Sequence, residues 1–270
     1  MQLSRALREI GMDRETYKLP DDVAIIHCGD LIHKGPFSDN IIEMVDNIMT
    51  ANPGRWIQLL GNHEMQYFQG APFFWGETIS KDSQLTLAKW AQEHKVHIAY
   101  GIPTFKAIEN IERSAKPKIP VPNKPILFTH AGLSYGFWKE FGFETDVVKL
   151  AEAINNAPIK VVSRPGLMLG ATKFIKGSPA PTWAHVVEEV WDTWRSHELP
   201  FILVHGHTNA YNFEFNRWWP SPKEFRETTK MNPDTRSATT QVGNSLQIAI
   251  DPGYSKLATQ EIQPSLRVLV

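Results

Sequence analysis

The stretch HCGDLIHKGP, His27 to Pro36, follows the apolar run VAII at 23–26, and its reading decides the fold. The apolar run is the pattern of a buried strand. The chain then releases Asp30, His33 and Lys34 in quick succession. An aspartate at the mouth of an apolar strand is a turn cap or a ligand, and the choice rests on what else reaches that edge. Downstream, Ser38 is placed to cap a helix whose inner face is Ile41, Ile42, Val45, Ile48 and Met49. NPGR at 52–55 turns the chain into a second short strand, WIQLL, which ends in GNHE at 61–64. Strand, helix and strand at this length form a parallel crossover unit, so the class is α/β.

The same pattern recurs. KPILFTHAG at 124–132 and PFILVHGHTN at 200–209 are two more apolar strands with polar tips. Helices are predicted at the N-terminus (Leu3, Ala6, Leu7 and Ile10, closed by Gly11), over SQLTLAKWAQEH, over ETDVVKLAEAINN and over PTWAHVVEEVWDTWRSH. SLQIAIDPG and SLRVLV close the chain as strands. The Pro- and aromatic-rich part from Trp218 to about Arg236 reads as a long surface loop. The aromatic insertions APFFWGE and FNRWWPSP suit stacking on a nucleobase or packing as lids on the core, and packing is the default.

At 270 residues and 42% hydrophobic, the chain can bury one substantial core, so a single domain over 1–270 is expected. Lys+Arg 28 against Asp+Glu 29 leaves a net charge of -1, which gives no signal for binding nucleic acid. A single cysteine, Cys28, excludes an internal disulfide framework and fits a reducing compartment. No apolar run reaches membrane-spanning length, and the charged helical N-terminus is unlike a secretion signal; a soluble, cytoplasmic protein is the expectation.

In open α/β sheets the carboxyl ends of the strands face a crevice, where ligands bind. Asp30, Asn62, His63, His130, His205 and His207 would therefore gather in one place. Carboxylate, amide oxygen and imidazole suit Zn, Mn or Fe rather than a thiolate site. Cys28 reads as a small buried residue. Taken singly, each residue has a structural reading: a cap, a turn, a satisfied core histidine. One such motif after each of four strands is what points to a metal site.

GDLIHKGP, LLGNHE, THAGLS, LVHGHT and IAIDPG, in that order, resemble successive signatures of the calcineurin-like metallophosphoesterase superfamily, in its phosphoprotein-phosphatase and bis-nucleoside-tetraphosphatase branch. The resemblance runs from about Asp22 to Gly253. It implies a four-layer αββα sandwich of two mixed sheets with helices outside and metals at one edge. It also implies metal-dependent hydrolysis of a phosphomonoester or phosphoanhydride, of phosphoprotein or nucleotide type, by attack of a metal-bound hydroxide. Asp30 would be the carboxylate that bridges two divalent ions (Mn, Zn or Fe), and Asn62, His130 and His207 would complete one ion's ligands. His63 would protonate the leaving group, while Lys34 and Arg164 would contact phosphate. His33 and His205 would lie behind the ligands.

The sequence departs from that pattern in two places. No Asp-x-His-Gly motif occurs in the chain, so the first core strand and the private ligands of one metal are missing from it. The sequence begins at the helix that follows this motif in relatives; the expectation is a start placed downstream of the complete one, since the other ligands are intact. The alternative is a degenerate member, with one metal, that holds phosphorylated ligands without turnover. His33 stands where the branch has an aspartate that orients and charges the catalytic histidine, and an imidazole cannot do that in the same way.

Overall fold

A computed structural model describes residues 2–68, 71, 76–109, 118–119, 122–167, 178–251 and 267–269. Most of APFFWGE, the end of IAIDPG and the start of SLRVLV lie outside the described residues. In chain order the strands are β1 (Ile25–His27), β2 (Trp56–Leu59), β3 (Val96–His97), β4 (Ala99–Ile102), β5 (Ala107–Glu109), β6 (Lys118–Ile119), β7 (Ile126–Thr129), β8 (Ile202–His205), β9 (Tyr211–Asn212), β10 (Arg217–Trp218), β11 (Thr229–Asn232), β12 (Ser237–Val242), β13 (Ser245–Ala249) and β14 (Arg267–Leu269). The helices are α1 (Gln2–Glu9), α2 (Ser38–Ala51), α3 (Asn62–Met65), α4 (Lys81–Gln92), α5 (Tyr135–Glu140), α6 (Val147–Asn155), α7 (Ile159–Val162), α8 (Asp192–Trp194) and α9 (Lys223–Glu227). A π-helical turn spans Val186–Trp191.

The crossover unit read from the sequence is present. β1 and β2 pair in parallel, Ile25 opposite Trp56, and β3 adds in parallel on the far side of β2. A six-stranded sheet runs β11-β12-β13-β8-β7-β4, with β13, β8 and β7 parallel and the flanking pairs antiparallel. The two sheets of the sandwich are thus both found; over the described strands the small one is wholly parallel and the large one mixed.

Alternation along the strands assigns the layers. Ile26, Cys28, Ile57 and Leu59 from the small sheet meet Ile126, Phe128, Ile202, Val204, Leu246 and Ile248 from the large one, forming the core between the sheets. The intervening residues face the helices. Ile25 and Trp56 pack with Leu7 of α1, Val45 and Ile48 of α2, and Leu87 and Trp90 of α4. Leu127, Leu203 and Ala249 pack under Phe137, Leu150, Ile154, Val190 and Trp194. Both faces of both sheets are covered, which is why these strands read as continuous apolar runs. Among the described residues no helix is long and apolar enough to cross a membrane.

Two sequence expectations are corrected. Ser38 is the first residue of α2 and not its cap; its Oγ accepts the His33 backbone N–H at 3.0 Å and holds the preceding loop. The part from Trp218 to Arg236 is not a surface loop. It contains α9 and the hairpin of β11 and β12, with Phe225 buried and the hydroxyls of Thr229 and Thr240 bonded at 2.9 Å. Its threonine-rich alternation hides a strand that buries the Thr240 hydroxyl together with Ala238 and Val242. In FNRWWPSP, Trp218 turns inward onto Phe225, whereas Phe215 and Trp219 are exposed with the Arg217 guanidinium over both rings.

Candidate metal centre

The two loops that carry Asp30 and Asn62 meet backbone to backbone. Gly29 has φ +90°, and a Cβ there would lie 2.5 Å from the Gly61 nitrogen and 2.9 Å from the His130 ring. At Gly61 a Cβ would collide with the Asp30 carboxylate and backbone. Only glycine at both positions lets the loops close. Glu64, on the first turn of α3, then ties them together. Its carboxylate accepts N–H bonds from Asp30 (2.9 Å), Leu31 (2.6 Å), Ile32 (3.2 Å) and Gly61 (2.8 Å). Asp30, His33, Lys34 and His207 all have positive φ, a strained conformation for residues with a side chain, held here by such contacts.

Around this clamp, lone pairs converge. The His130 Nδ1–H donates to the Cys28 carbonyl at 2.5 Å, which leaves Nε2 as the bare nitrogen. That Nε2 lies 3.1 Å from Asn62 Oδ1, 3.1 Å from His207 Nδ1 and 3.3 Å from Asp30 Oδ1. Ligand atoms of Asp30, His130 and His207 all fall within 4.8 Å of one another. The other ring nitrogen of His207 is buried without a hydrogen-bond partner. Burial pushes the Asp30 carboxyl up to about 7, with the Lys34 charge opposing and that of Asp251 adding. Burial likewise holds His130 and His207 below the usual imidazole range, so both are neutral near pH 7. A carboxylate, an amide oxygen and two neutral imidazoles gathered this closely fit a divalent cation.

His63 sits beside this cluster. Its Nε2 is 3.8 Å from Asp30 Oδ2, and its backbone N–H points at Asp30 Oδ1 at 3.4 Å. Its Nδ1 meets His33 Nδ1 at 3.0 Å, and His33 Nε2 meets the Tyr67 hydroxyl at 2.9 Å. Burial first, then the charges of Lys34, His33 and His130, bring the His63 pKa down to about 2. The imidazole is neutral.

The structure thus brings Asp30, Asn62, His63, His130 and His207 together, with His33 directly behind His63. Lys34 is exposed, and its charge acts on Asp30, His63, His130 and His207. Of the remaining expected residues, one is engaged elsewhere and one lies behind the ligands. Arg164 is paired with Glu140 at 2.7 Å and lies over the Phe137 ring, with no contact to the cluster among the described residues. His205 is fully buried, its Nδ1 on the Gly206 carbonyl and its Nε2 on Gln247, behind the ligands and outside the lone-pair cluster. Sequence reasoning passed over Glu64, Tyr67 and Asp251. Glu64 carried a signal, because it stands three residues after Gly61 at the spacing of a capping box. Nothing in the sequence marks Tyr67, which reaches His33 only through the fold.

No curated protein matches the chain. A family model described as calcineurin-like phosphoesterase matches residues 2–236, a span that holds every strand-end motif of this centre, and the chain therefore belongs to the calcineurin-like phosphoesterase family.

Proposed function

We propose that the protein is a metal-dependent hydrolase of phosphomonoesters or phosphoanhydrides, of phosphoprotein or nucleotide type. One observation carries the reading: the ligand atoms of Asp30, Asn62 and His207 converge within 3.3 Å of the bare His130 Nε2, beside the buried His63. Asp30, Asn62, His130 and His207 would hold a divalent cation such as Mn, Zn or Fe. When bound, such an ion supplies Lewis-acid polarisation of phosphoryl oxygens and lowers the pKa of bound water. Glu64 keeps Asp30 and Asn62 in register. Lys34, an ammonium on a flexible stem at the rim, attracts the phosphoryl group as a point charge and cannot grip it with a bidentate fork. His63 stands where it can pass its Nε2 proton to the leaving oxygen. The lone buried Cys28 suits a reducing, cytoplasmic setting.

A second reading, a binder of phosphorylated ligands without turnover, is favoured by one feature: the described residues gather one group of metal-ligating side chains, Asp30 with His130 and His207. Hydrolysis of nitrophenyl phosphate, nucleoside polyphosphates and phosphopeptides with added Mn, Zn or Fe separates the two. Turnover that is lost in His63→Asn and Asp30→Asn, with folding intact, supports the hydrolase. Hydrolysis unchanged in both variants sinks the assignment of the site, and phosphate binding with no turnover under any of the metals selects the binder.

A further inference from the structure

Trp218 and Trp219 are neighbours in the chain with opposite surroundings. Trp218 packs on Tyr211 and Phe225, at ring-centre distances of 5.2 and 6.1 Å. Trp219 is 45% exposed, and Phe215, in the preceding turn, is 64% exposed. Two large rings left together in water mark a surface that meets something else.

The hairpin that carries them is fixed without them. β9 and β10 pair with Tyr211 opposite Trp218, and the Tyr211 hydroxyl donates to Asn216 Oδ1 at 2.5 Å. Asn212 Oδ1 closes the turn by accepting the N–H groups of Glu214 (3.0 Å) and Phe215 (2.9 Å). Arg217 joins the two exposed rings, its guanidinium 5.4 Å from the centre of Phe215 and 5.8 Å from that of Trp219. Among the described residues no carboxylate, that of Glu214 included, pairs with it. Nearby cations are engaged: Lys223 pairs with Glu227 at 3.4 Å, and Arg226 donates to the Ser221 carbonyl at 2.6 Å. The rings thus hold an unneutralised guanidinium in place before any ligand arrives, which lowers the ordering cost of binding an anion.

The hairpin springs from the loop of the candidate metal centre. The Trp219 N–H donates to the Ala210 carbonyl at 2.9 Å, and Ala210 is three residues beyond His207. At 3.8 Å per residue this anchors the Trp219 backbone within roughly 17 Å of His207, the length of about five residues of extended peptide. A nucleobase would stack on one ring. An extended segment with a carboxylate between two apolar side chains engages Phe215, Arg217 and Trp219 together, the residue types that carry most binding energy at protein interfaces.

We propose that Phe215, Arg217 and Trp219 form a docking surface for an extended acidic segment of a protein substrate, about five residues from its phosphorylated side chain. The inference deepens the hydrolase reading by choosing the phosphoprotein over the nucleotide, and it rests on that reading for turnover alone.

The first test needs neither metal nor turnover. Fluorescein-labelled peptides carrying Leu-Glu-Leu or Leu-Lys-Leu about five residues from a serine are titrated by anisotropy. The wild type should bind the acidic peptide at least about tenfold more tightly, Arg217→Glu should reverse the preference, and Phe215→Ala or Trp219→Ala should each weaken acidic binding about tenfold. Equal affinity for both peptides in the wild type, or a preference that Arg217→Glu does not move, overturns the proposal. Binding of ADP that is tighter than that of the acidic peptide and is lost in Trp219→Ala overturns it in favour of base stacking. The second test uses the same peptides with phosphoserine and added Mn, Zn or Fe. Arg217→Glu should raise KM for the Leu-Glu-Leu phosphopeptide about tenfold more than for nitrophenyl phosphate, and an equal effect on both overturns docking as a route to the centre. A wild type that prefers the acidic peptide but cleaves no substrate with any of the metals overturns the hydrolase reading and leaves the docking surface standing.

Discussion

Replacing Glu64 by glutamine tests whether one carboxylate holds the candidate centre together. Oε1 accepts from Leu31 and Ile32, and Oε2 from Asp30 and Gly61. Glutamine keeps one oxygen and turns an NH2 group toward the other pair, so two buried N–H groups lose their acceptor and face a donor. Each such group costs about 1–3 kcal/mol, which gives about 2–6 kcal/mol in all. Some of this is offset. The Glu64 carboxyl is pushed up to about 7 by burial and by the Asp30 charge, and the neutral amide removes that repulsion. We expect a net loss of about 3 kcal/mol, a large share of the roughly 5–15 kcal/mol that holds a domain folded. Urea unfolding followed by tryptophan fluorescence measures it. The same variant should bind Mn or Zn at least about tenfold more weakly by calorimetry, because Asp30 and Asn62 are no longer fixed relative to each other. A stability change below about 0.5 kcal/mol together with an unchanged metal affinity would refute the clamp.

Other outcomes follow from the same geometry. Adding Mn or Zn at about a hundred times its Kd should stabilise the protein by about 2.7 kcal/mol, raising Tm by several degrees, and His207→Ala should abolish the shift; a wild type whose Tm ignores these metals contradicts the cluster. Gly61→Ala drives a methyl into Asp30 and should prevent folding or metal binding, so a normal Tm with normal affinity would show that the loops do not meet as described. The pH dependence of the metal-free protein has a definite sign. His27 and His205 are lowered to about 4, His63 to about 2, and His130 and His207 are lowered as well, all chiefly by burial. Below 6.5 the unfolded chain takes up protons that these rings refuse when folded, so stability is lost as pH falls from 6.5 toward 4. Asp30 and Glu64, raised to about 7, act oppositely and lose stability as pH rises through the same range. His33, His97 and His185 are lowered too, and Glu189 is raised. With eight rings against three carboxyls among the described residues, Tm should fall between pH 6.5 and 5, and a flat or rising Tm on acidification would count against the burial of these histidines.

Much of the sandwich was legible because burial on both faces leaves strands as uninterrupted apolar runs, and because each run ends in its ligand. Ile25–His27, Trp56–Leu59, Ile126–Thr129 and Ile202–His205 all announce themselves in this way. The hairpin of Thr229–Asn232 with Ser237–Val242 did not, since its inner face mixes Thr229 and Thr240 with Met231, Ala238 and Val242, and the polar residues between them look like a loop. The ligand set was readable from residue type and order. What was not readable is what each ligand leans on. The Cys28 carbonyl that fixes the His130 tautomer carries no side-chain signature, and the four amides gathered by Glu64 are backbone groups that residue type does not mark.

His33 shows how far residue type can mislead. In sequence, an imidazole where the branch that the sequence resembles has an aspartate reads as loss, because it cannot hold a second imidazole in its charged form. In the fold the same residue lies between His63 and Tyr67, at 3.0 and 2.9 Å, with its backbone N–H held by Ser38. A carboxylate there would favour an imidazolium and would place another negative charge beside Asp30 and Glu64, whose pKa values burial already raises. A neutral ring avoids that charge and keeps a hydrogen bond on both sides. His33→Asp therefore discriminates between the two designs. If His63 works from its neutral form, the aspartate should raise the His63 pKa in NMR titration and slow the cleavage of poor leaving groups. A variant that instead cleaves them faster than the wild type would show that the imidazole at 33 is a handicap.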